Sequence, residues 1–138
     1  MPKAKYEVAF DYSFNFNSVV GHPIVPVTIN GKTLQSTVPF LVDSGASVTT
    51  VHPSIVDGVD LDMSNAKEVV LGTAGGDVKA LAISAVKIEI NRHLYTVPIR
   101  ITETASEDFG LLGREGFFPL VQVAFREARK KVYFAFSP

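Results

Sequence analysis

Residues 40–47 read Phe-Leu-Val-Asp-Ser-Gly-Ala-Ser, an apolar run that ends in an acid, a hydroxyl and a glycine. Asp is a poor strand residue, so an apolar strand that delivers Asp43 to its own end is unusual. Ser44 can hydrogen-bond the turn through its hydroxyl, and Gly45 allows a tight turn or a close backbone approach. Taken alone, the stretch is equally well explained as an ordinary Asp-Ser-Gly turn between two strands.

The residues before this stretch indicate how Asp43 is held. Val25, Val27 and Ile29 alternate with polar or small residues, as in a half-buried strand. Asn30-Gly31 follows and predicts a two-residue type I′ turn, in which both central residues need positive φ. The return strand then runs from Thr33 to Val42, so Asp43 lies at the end of a strand fixed by a hairpin. A rigid element of this kind is a good platform for a carboxylate.

The rest of the chain also reads as short strands separated by turns. The alternation is clear in five further segments, and a glycine-rich run between two other predicted strands predicts a hairpin tip at Gly72–Asp77. We predict one all-β, barrel-like domain over residues 1–138 with a short helix near the C-terminus, and a further helix could begin at His52. The predicted segments are the strands 6–16, 69–71 and 78–85, the hairpin 86–101 around Asn91-Arg92, the helical stretch 114–120, and the strands 121–125 and 132–136.

A second motif lies far downstream, where Phe109-Gly110 precedes Leu111-Leu112-Gly113-Arg114. The ordered pair of D-S-G-A at 43–46 and L-L-G-R at 111–114, with a glycine-rich hairpin between, resembles the retropepsin-like aspartic proteases. The resemblance extends from about Pro23 to the C-terminus. It implies a closed β-barrel-like acid-protease fold, and it implies that the glycine-rich hairpin is a mobile flap that closes over a peptide or protein substrate.

The resemblance also assigns roles. Asp43 would be the catalytic carboxylate, Ser44 would hydrogen-bond across a two-fold axis, and Gly45 would leave room for the substrate backbone. Arg114 would be a structural ion-pair residue, although Ser47 and Val48 stand where viral members carry acids, so its partner is not evident. The residues implied to contact substrate are Ala46, Thr73, Ala74, Gly75, Gly76 and Leu111, and those implied to be structural are Leu112, Gly113 and Arg114.

Only one D-[ST]-G motif is present. Peptide hydrolysis by water needs a base for the water and an acid for the carbonyl oxygen, and two carboxylates that share one proton supply both. A single motif gives half of such a site. An isologous homodimer would complete it by placing Asp43 opposite its own mate.

Other chemistries have little support. The chain has no cysteine, and its three histidines have no acid or second histidine at ligand spacing, so we expect no metal and no cofactor. A formal charge of −1 gives no pull toward nucleic acid. No apolar run approaches a membrane span, and no signal peptide is evident, so we expect a cytoplasmic protein that binds no membrane.

Two alternatives to an aspartic endopeptidase remain. The first is a non-catalytic retropepsin-like module for binding or dimerisation, which would need the strand and turn geometry but not the charge of Asp43. The second is an unrelated β-barrel that binds a ligand, which would leave the order of the two motifs to chance.

Overall fold

The computed structural model describes residues 9–136, and the regular secondary structure in this part of the chain is mostly β-strand, as predicted. Its helical parts are one four-residue helix, α1 (Pro53–Val56), and two 3-10 turns at Phe118–Leu120 and Glu127–Arg129. No helix within these residues is long and apolar enough to cross a membrane. The strands are β1 (Tyr12–Asn15), β2 (Ile24–Asn30), β3 (Gln35–Val42), β4 (Thr49–Val51), β5 (Lys67–Thr73), β6 (Gly76–Ile90), β7 (His93–Ile101), β8 (Gly110–Leu112), β9 (Gln122–Arg126) and β10 (Lys131–Ala135).

Six strands close into a barrel in the order β2-β3-β8-β4-β7-β6, and the pairing of β2 with β6 completes the ring. The inward face is apolar because side chains alternate along each strand. The predicted closed barrel is therefore confirmed. The side chains that fill it without exposed surface include Val25, Val27, Ile29, Phe40, Val51, Ile88, Ile90, Val97, Ile99 and Leu112.

Strand β6 is longer than the sequence indicated. The two segments predicted separately, 78–85 and 86–90, form one strand of 15 residues that pairs with β5 at its start and with β2 and β7 at its end. A β-bulge lies between Ile83 and Val86, which pair with Ile99 and Val97. One extra residue on β6 therefore shifts the alternation, so that Ile83 and Val86 both face the core.

Of the two hairpin turns predicted at Asn91-Arg92 and Asn30-Gly31, the structure contains only the first. Asn91 and Arg92 have φ of 46° and 68° and form the two-residue turn between β6 and β7. The type I′ turn predicted at Asn30-Gly31 is wrong, because Asn30 pairs with Gln35 and the loop spans the four residues between them.

That loop is shaped by a distant acid. The Asp60 carboxylate accepts hydrogen bonds from the backbone N–H groups of Thr33 and Leu34 at 2.8–3.0 Å, and the Thr33 hydroxyl donates at 2.6 Å. A Cβ on Gly31 would collide with Asp60, so glycine is required here for a close approach and not for its φ.

A second, three-stranded antiparallel sheet has the order β1-β10-β9. The long strand predicted over 6–16 is represented by the four residues of β1, and residues 6–8 of that prediction lie outside the described residues. Phe16 and Phe134 join the core of the barrel, so the sheet packs against it. Tyr12 and Phe125, on its two outer strands, are 44% and 41% exposed.

The helix predicted near the C-terminus is shorter than expected. Of residues 114–120, only Phe118–Leu120 are helical, as a single 3-10 turn. Gly116 has a φ of 79°, outside the helical range, which prevents a continuous helix from forming earlier in this stretch. Phe117 fills the core instead, with its ring edge-on to Tyr95 and Phe134.

Candidate active site

Asp43 follows the last residue of β3 and is half-buried. Its backbone N–H donates to the carbonyl of Leu112 at 3.0 Å, continuing the parallel pairing of β3 with β8. Its carboxylate atom Oδ1 accepts a hydrogen bond from the Gly45 N–H at 2.9 Å, and its carbonyl accepts one from Ala46. The carboxylate is thus oriented by its own turn, directly after the buried Val42 at the end of β3.

Residues 43–49 wrap around β8 and the residues that follow it. The N–H of Arg114 donates to the carbonyl of Ala46, and the N–H of Glu115 donates to that of Ser47, both at 2.9 Å. Further along, β4 pairs with β8 on the side opposite β3. The two motifs that the sequence separates by some seventy residues are therefore in direct backbone contact.

This contact depends on glycine and on a buried hydroxyl. A Cβ at Gly113 would lie 2.5 Å from the carbonyl carbon of Val48 and 2.7 Å from the nitrogen of Thr49. The Gly113 N–H donates to the Thr49 Oγ1 at 3.1 Å, and Thr49 has no exposed surface. Because a buried N–H must find a partner, Thr49 fixes the position of the loop on β8.

Strands β5 and β6 form the glycine-rich hairpin that the sequence predicted. Thr73 pairs with Gly76, so the tip contains only Ala74 and Gly75. Gly76 has a φ of 114°, which requires glycine. The Thr73 hydroxyl donates to the Gly76 carbonyl at 2.5 Å across the tip.

A cleft of about 410 Å³ lies between this hairpin and the Asp43 loop. It is lined on one side by residues of the segment that follows Asp43 and on the other by the arms of the hairpin, whereas Asp43 itself is not among the lining residues. The lining residues are Ala46, Ser47, Val48, Thr50, Leu71, Gly72, Thr73, Val78, Arg100, Thr102, Thr104, Ala105 and Leu111.

The structure brings some of the predicted site residues together at this cleft. Those that line it are Ala46, Thr73 and Leu111, whereas Ala74, Gly75 and Gly76 are exposed at the tip of the hairpin and do not line it. Ser44 and Gly45 are exposed on the turn beside Asp43, and Leu112 and Gly113 are buried.

Arg114 is exposed, and it makes no side-chain ion pair or hydrogen bond with any residue from 9 to 136. Its backbone fixes the Asp43 loop, while its guanidinium borders a shallow pocket with Ser47 and Phe118. Position 47 carries a serine where viral members of the resembling family carry an acid, and the Arg114 guanidinium has no ion-pair partner among the described residues.

A larger pocket of about 540 Å³ lies elsewhere, between α1, the 57–63 segment and the outer arms of the hairpin. None of the predicted site residues lines it. No group of three metal-ligating side chains occurs within the part of the chain that the structure describes.

Sequence reasoning missed two residues of the site. Thr49 was not singled out, because nothing in the sequence Thr49-Thr50-Val51 shows which of the two hydroxyls is buried against a backbone donor. Arg100 was passed over as the outward member of an alternating strand. Its position in the cleft could be known only once β7 was placed beside β4.

A scan against protein-family models matches residues 25–115 to the model described as aspartyl protease. The match covers well over half of the chain and contains both motifs. This chain belongs to the aspartyl protease family. A search among curated proteins found no match.

The matched region of this aspartyl protease family member coincides with the structural unit described above. It begins in β2, includes the whole barrel with its hairpin, and ends one residue after Arg114. The three-stranded sheet lies outside it. Membership of the family implies a peptide substrate.

Proposed function

We propose that this protein is a retropepsin-like aspartic endopeptidase that works as a homodimer, with Asp43 of two subunits forming the catalytic pair. The observation that carries the proposal is the position of Asp43 directly after the buried Val42 at the end of β3, next to the segment that lines a cleft with the arms of the glycine-tipped hairpin. Positioning of this kind is what a carboxylate needs in order to act on a bound peptide.

In the proposed reaction one Asp43 is ionised and its mate is protonated, because two close carboxylates cannot both carry charge. The ionised carboxylate takes a proton from water as the water oxygen attacks the peptide carbonyl carbon, and the protonated one donates its proton to the carbonyl oxygen. Transfer of a proton to the amide nitrogen then allows the C–N bond to break, which releases an acid and an amine.

The remaining residues have supporting roles in this proposal. Ser44 braces the two loops across the dimer axis, Gly45 admits the substrate backbone, and Ala46 and Leu111 form the walls of the cleft. Residues 73–76 form the flap, whose backbone amides would bind the peptide and whose closure would exclude water. No cofactor or metal takes part in the proposed reaction.

Dimerisation is supported by the occurrence of a single Asp-Ser-Gly motif in the chain and by apolar side chains on the outer sheet. Tyr12 and Phe125 are each more than 40% exposed on the two outer strands of the three-stranded sheet. Large exposed apolar groups are candidates for burial against a partner. The proposed dimer buries this sheet, and the terminal strands contribute to its interface.

The decisive experiment is a mixing test with Asp43→Asn. Asn has nearly the shape of Asp but cannot act as the ionised base, so the pure variant should have no peptidase activity while keeping the fold. Wild-type and variant chains are unfolded together and refolded, so that they pair at random. If both carboxylates are needed, an equal mixture should retain roughly a quarter of the activity, because groups that act as a unit are not additive.

A subunit that is active alone would instead retain roughly half of the activity in the same mixture. That linear result, with random pairing confirmed by native mass spectrometry, would refute the shared pair and direct attention to another acid of the same chain, such as Asp77 or Asp108. A wild-type protein that dimerises and binds peptides but never cleaves them would favour the non-catalytic module.

A further inference from the structure

The charge of the cleft is concentrated in one residue. Of the described residues that line it, Arg100 alone has an ionisable side chain, and the others are apolar, glycine or hydroxyl-bearing. A single cation among otherwise uncharged lining residues contributes a positive potential where a bound peptide would lie. It therefore bears directly on which peptides the cleft accepts.

The position of Arg100 follows from strand register. It pairs with Thr50 of β4 on one side and with Ala82 of β6 on the other, and Thr50 in turn pairs with Leu111 of β8. Paired residues point to the same face of a sheet, and neighbours along a strand point to opposite faces. Because Ile99 lies in the core with no exposed surface, Arg100 points outward, on the face that carries Thr50 and Leu111, where it lines both the cleft and a second pocket beside Lys67 and Ser84.

The Arg100 guanidinium has no partner among residues 9–136. It is half-buried, and neither an ion pair nor a hydrogen bond joins its side chain to these residues. The nearby hydroxyls are engaged elsewhere: Thr50 donates to the carbonyl of Val48, and Thr102 donates to that of Lys79. A guanidinium has five donors and no acceptor, so a partly desolvated and unpaired one favours an incoming anion.

We propose that Arg100 is a specificity-determining residue that binds the carboxylate of a Glu or Asp side chain in the substrate. The proposal rests on the proposed peptidase function and names the class of peptide that this site prefers. A carboxylate matches the guanidinium fork in charge and planar geometry, and it can be bound by two parallel hydrogen bonds. The acidic side chain enters the cleft beside the Asp43 loop, so it belongs to a residue close to the cleaved bond.

The test compares cleavage of peptide libraries in which each position carries Glu or Gln, which differ in charge and hardly in shape. Hydrogen bonds to charged groups are strong enough to give about a tenfold preference or more. We expect wild-type protein to cleave the Glu member about tenfold faster at one position near the bond. Arg100→Gln should reduce this ratio to near one, Arg100→Lys should keep part of it, and Arg100→Glu should favour Lys at the same position.

Arg92→Asn is the matched control. It removes an exposed guanidinium from the turn between β6 and β7, and Asn tolerates the positive φ of that residue. The control should keep the wild-type Glu-to-Gln ratio. That ratio should also fall as salt is raised from about 0.05 to about 0.5 M in wild-type protein, because ions screen partly exposed charges. A ratio near one in wild-type protein, or an unchanged ratio in Arg100→Gln, would overturn the proposal.

A binding measurement separates this inference from the peptidase proposal. Asp43→Asn protein is incubated with the same libraries, and the peptides that it retains are identified by mass spectrometry. If Asp43→Asn protein retains acidic peptides preferentially and the double variant with Arg100→Gln does not, the role of Arg100 is supported even if wild-type protein cleaves nothing. Cleavage by wild-type protein without any acidic preference would leave the peptidase proposal standing and refute the role of Arg100.

Discussion

At the scale of single residues, Gly113 has the tightest requirement in the site. It packs directly against the backbone of Val48 and Thr49, and its N–H is bound by the buried Thr49 hydroxyl. The loop that carries Asp43 can therefore pack this closely only because Gly113 has no side chain. Any added atom must push β4 away from β8.

We predict that Gly113→Ala lowers the free energy of unfolding by about 2 kcal/mol or more, because the clash involves backbone atoms that cannot rotate away. Urea denaturation followed by circular dichroism measures this change. Peptidase activity should fall as well, since displacement of the loop moves Asp43.

Gly58→Ala serves as the control for this prediction. Gly58 has open space around its Cβ position and no positive φ, so alanine there should be neutral or stabilise by up to about 1 kcal/mol. Equal losses of stability in the two variants would show that the contact of Gly113 with the loop is unimportant.

The sequence predicted the individual site residues unevenly. Asp43 could be placed at a strand end because the apolar run before it and the turn chemistry after it are local signals. Thr49 and Arg100 could not be placed, since their importance depends on which strands lie beside β4 and β7. Pairing between segments distant in the chain leaves almost no trace in either segment alone.

At the scale of elements, the β2–β3 loop is held by an acid from another part of the chain. The pKa of the Asp60 carboxyl is lowered to about 2, because the Thr33 hydroxyl and the backbone N–H groups of Leu34 and Thr33 donate hydrogen bonds to its charged form. A carboxyl whose pKa is lower in the folded state adds stability above its unfolded pKa and loses it as the pH falls through its folded pKa.

We therefore predict that Asp60→Asn lowers the melting temperature at pH 7 and that the difference from wild type narrows as the pH falls from about 4 toward 2. The amide has one acceptor oxygen and no charge, so it binds the loop less well. Thermal unfolding at several pH values measures the effect. Asp57→Asn, at an exposed acid three residues earlier, should show no such convergence, and a difference for Asp60→Asn that is constant with pH would contradict the interpretation.

The flap hairpin should be the most mobile ordered hairpin in the absence of substrate. From residue 71 to residue 77 its side chains are exposed or only half-buried, and none belongs to the buried core. We predict that amide hydrogens of residues 71–77 exchange much faster than those of residues 86–99, whose strands line the barrel. Equally slow exchange in both hairpins would contradict this, and a bound substrate-like peptide should slow exchange only at the flap.

The elements themselves were largely predictable where periodicity was strong. The β6–β7 hairpin and its Asn91-Arg92 turn agree with the sequence. The predicted Asn30-Gly31 turn does not, because the Asp60 carboxylate accepts hydrogen bonds from Thr33 and Leu34 and so stabilises a longer loop between β2 and β3. Asp60 lies 27 positions from Thr33 in the chain, so its effect on this turn is not visible in the local sequence.

At the scale of the whole molecule, the assembly is the feature to test. We predict that the protein sediments as a dimer at micromolar concentration and that Phe125→Glu weakens the dimer, because it places a charge on the exposed apolar side of the outer sheet. When both proteins are diluted, the variant should lose activity per chain at a higher protein concentration than wild type does.

Leu94→Glu is a suitable control for that prediction, since Leu94 is 65% exposed on β7, which belongs to the other sheet. Its sedimentation should match that of wild-type protein. A wild-type protein that is monomeric at high micromolar concentration and still active would exclude the dimer as the active form.

The all-β class and the closed barrel could be predicted because turn signals and alternating strands occur throughout the chain. The strand order could not be derived from those patterns. The parallel pairing of β3 with β8 joins segments about seventy residues apart, and the resemblance of two short motifs was the only indication that they meet.

The single extra residue in β6 has a consequence for how this architecture can change over evolutionary time. Upstream of the bulge the strand runs from the hairpin tip to the buried Ile83, and downstream its residues Val86, Ile88 and Ile90 fill the barrel. Deletion of Ser84 or Ala85, both exposed, would remove the bulge and leave Ile83 and Val86 two residues apart, as their partners Ile99 and Val97 are, so these side chains would still face the core. Residues added in equal numbers to the two arms at the hairpin tip would not change which side chains of the barrel face the core. The length of the hairpin can therefore diverge between relatives while the barrel keeps its strand register.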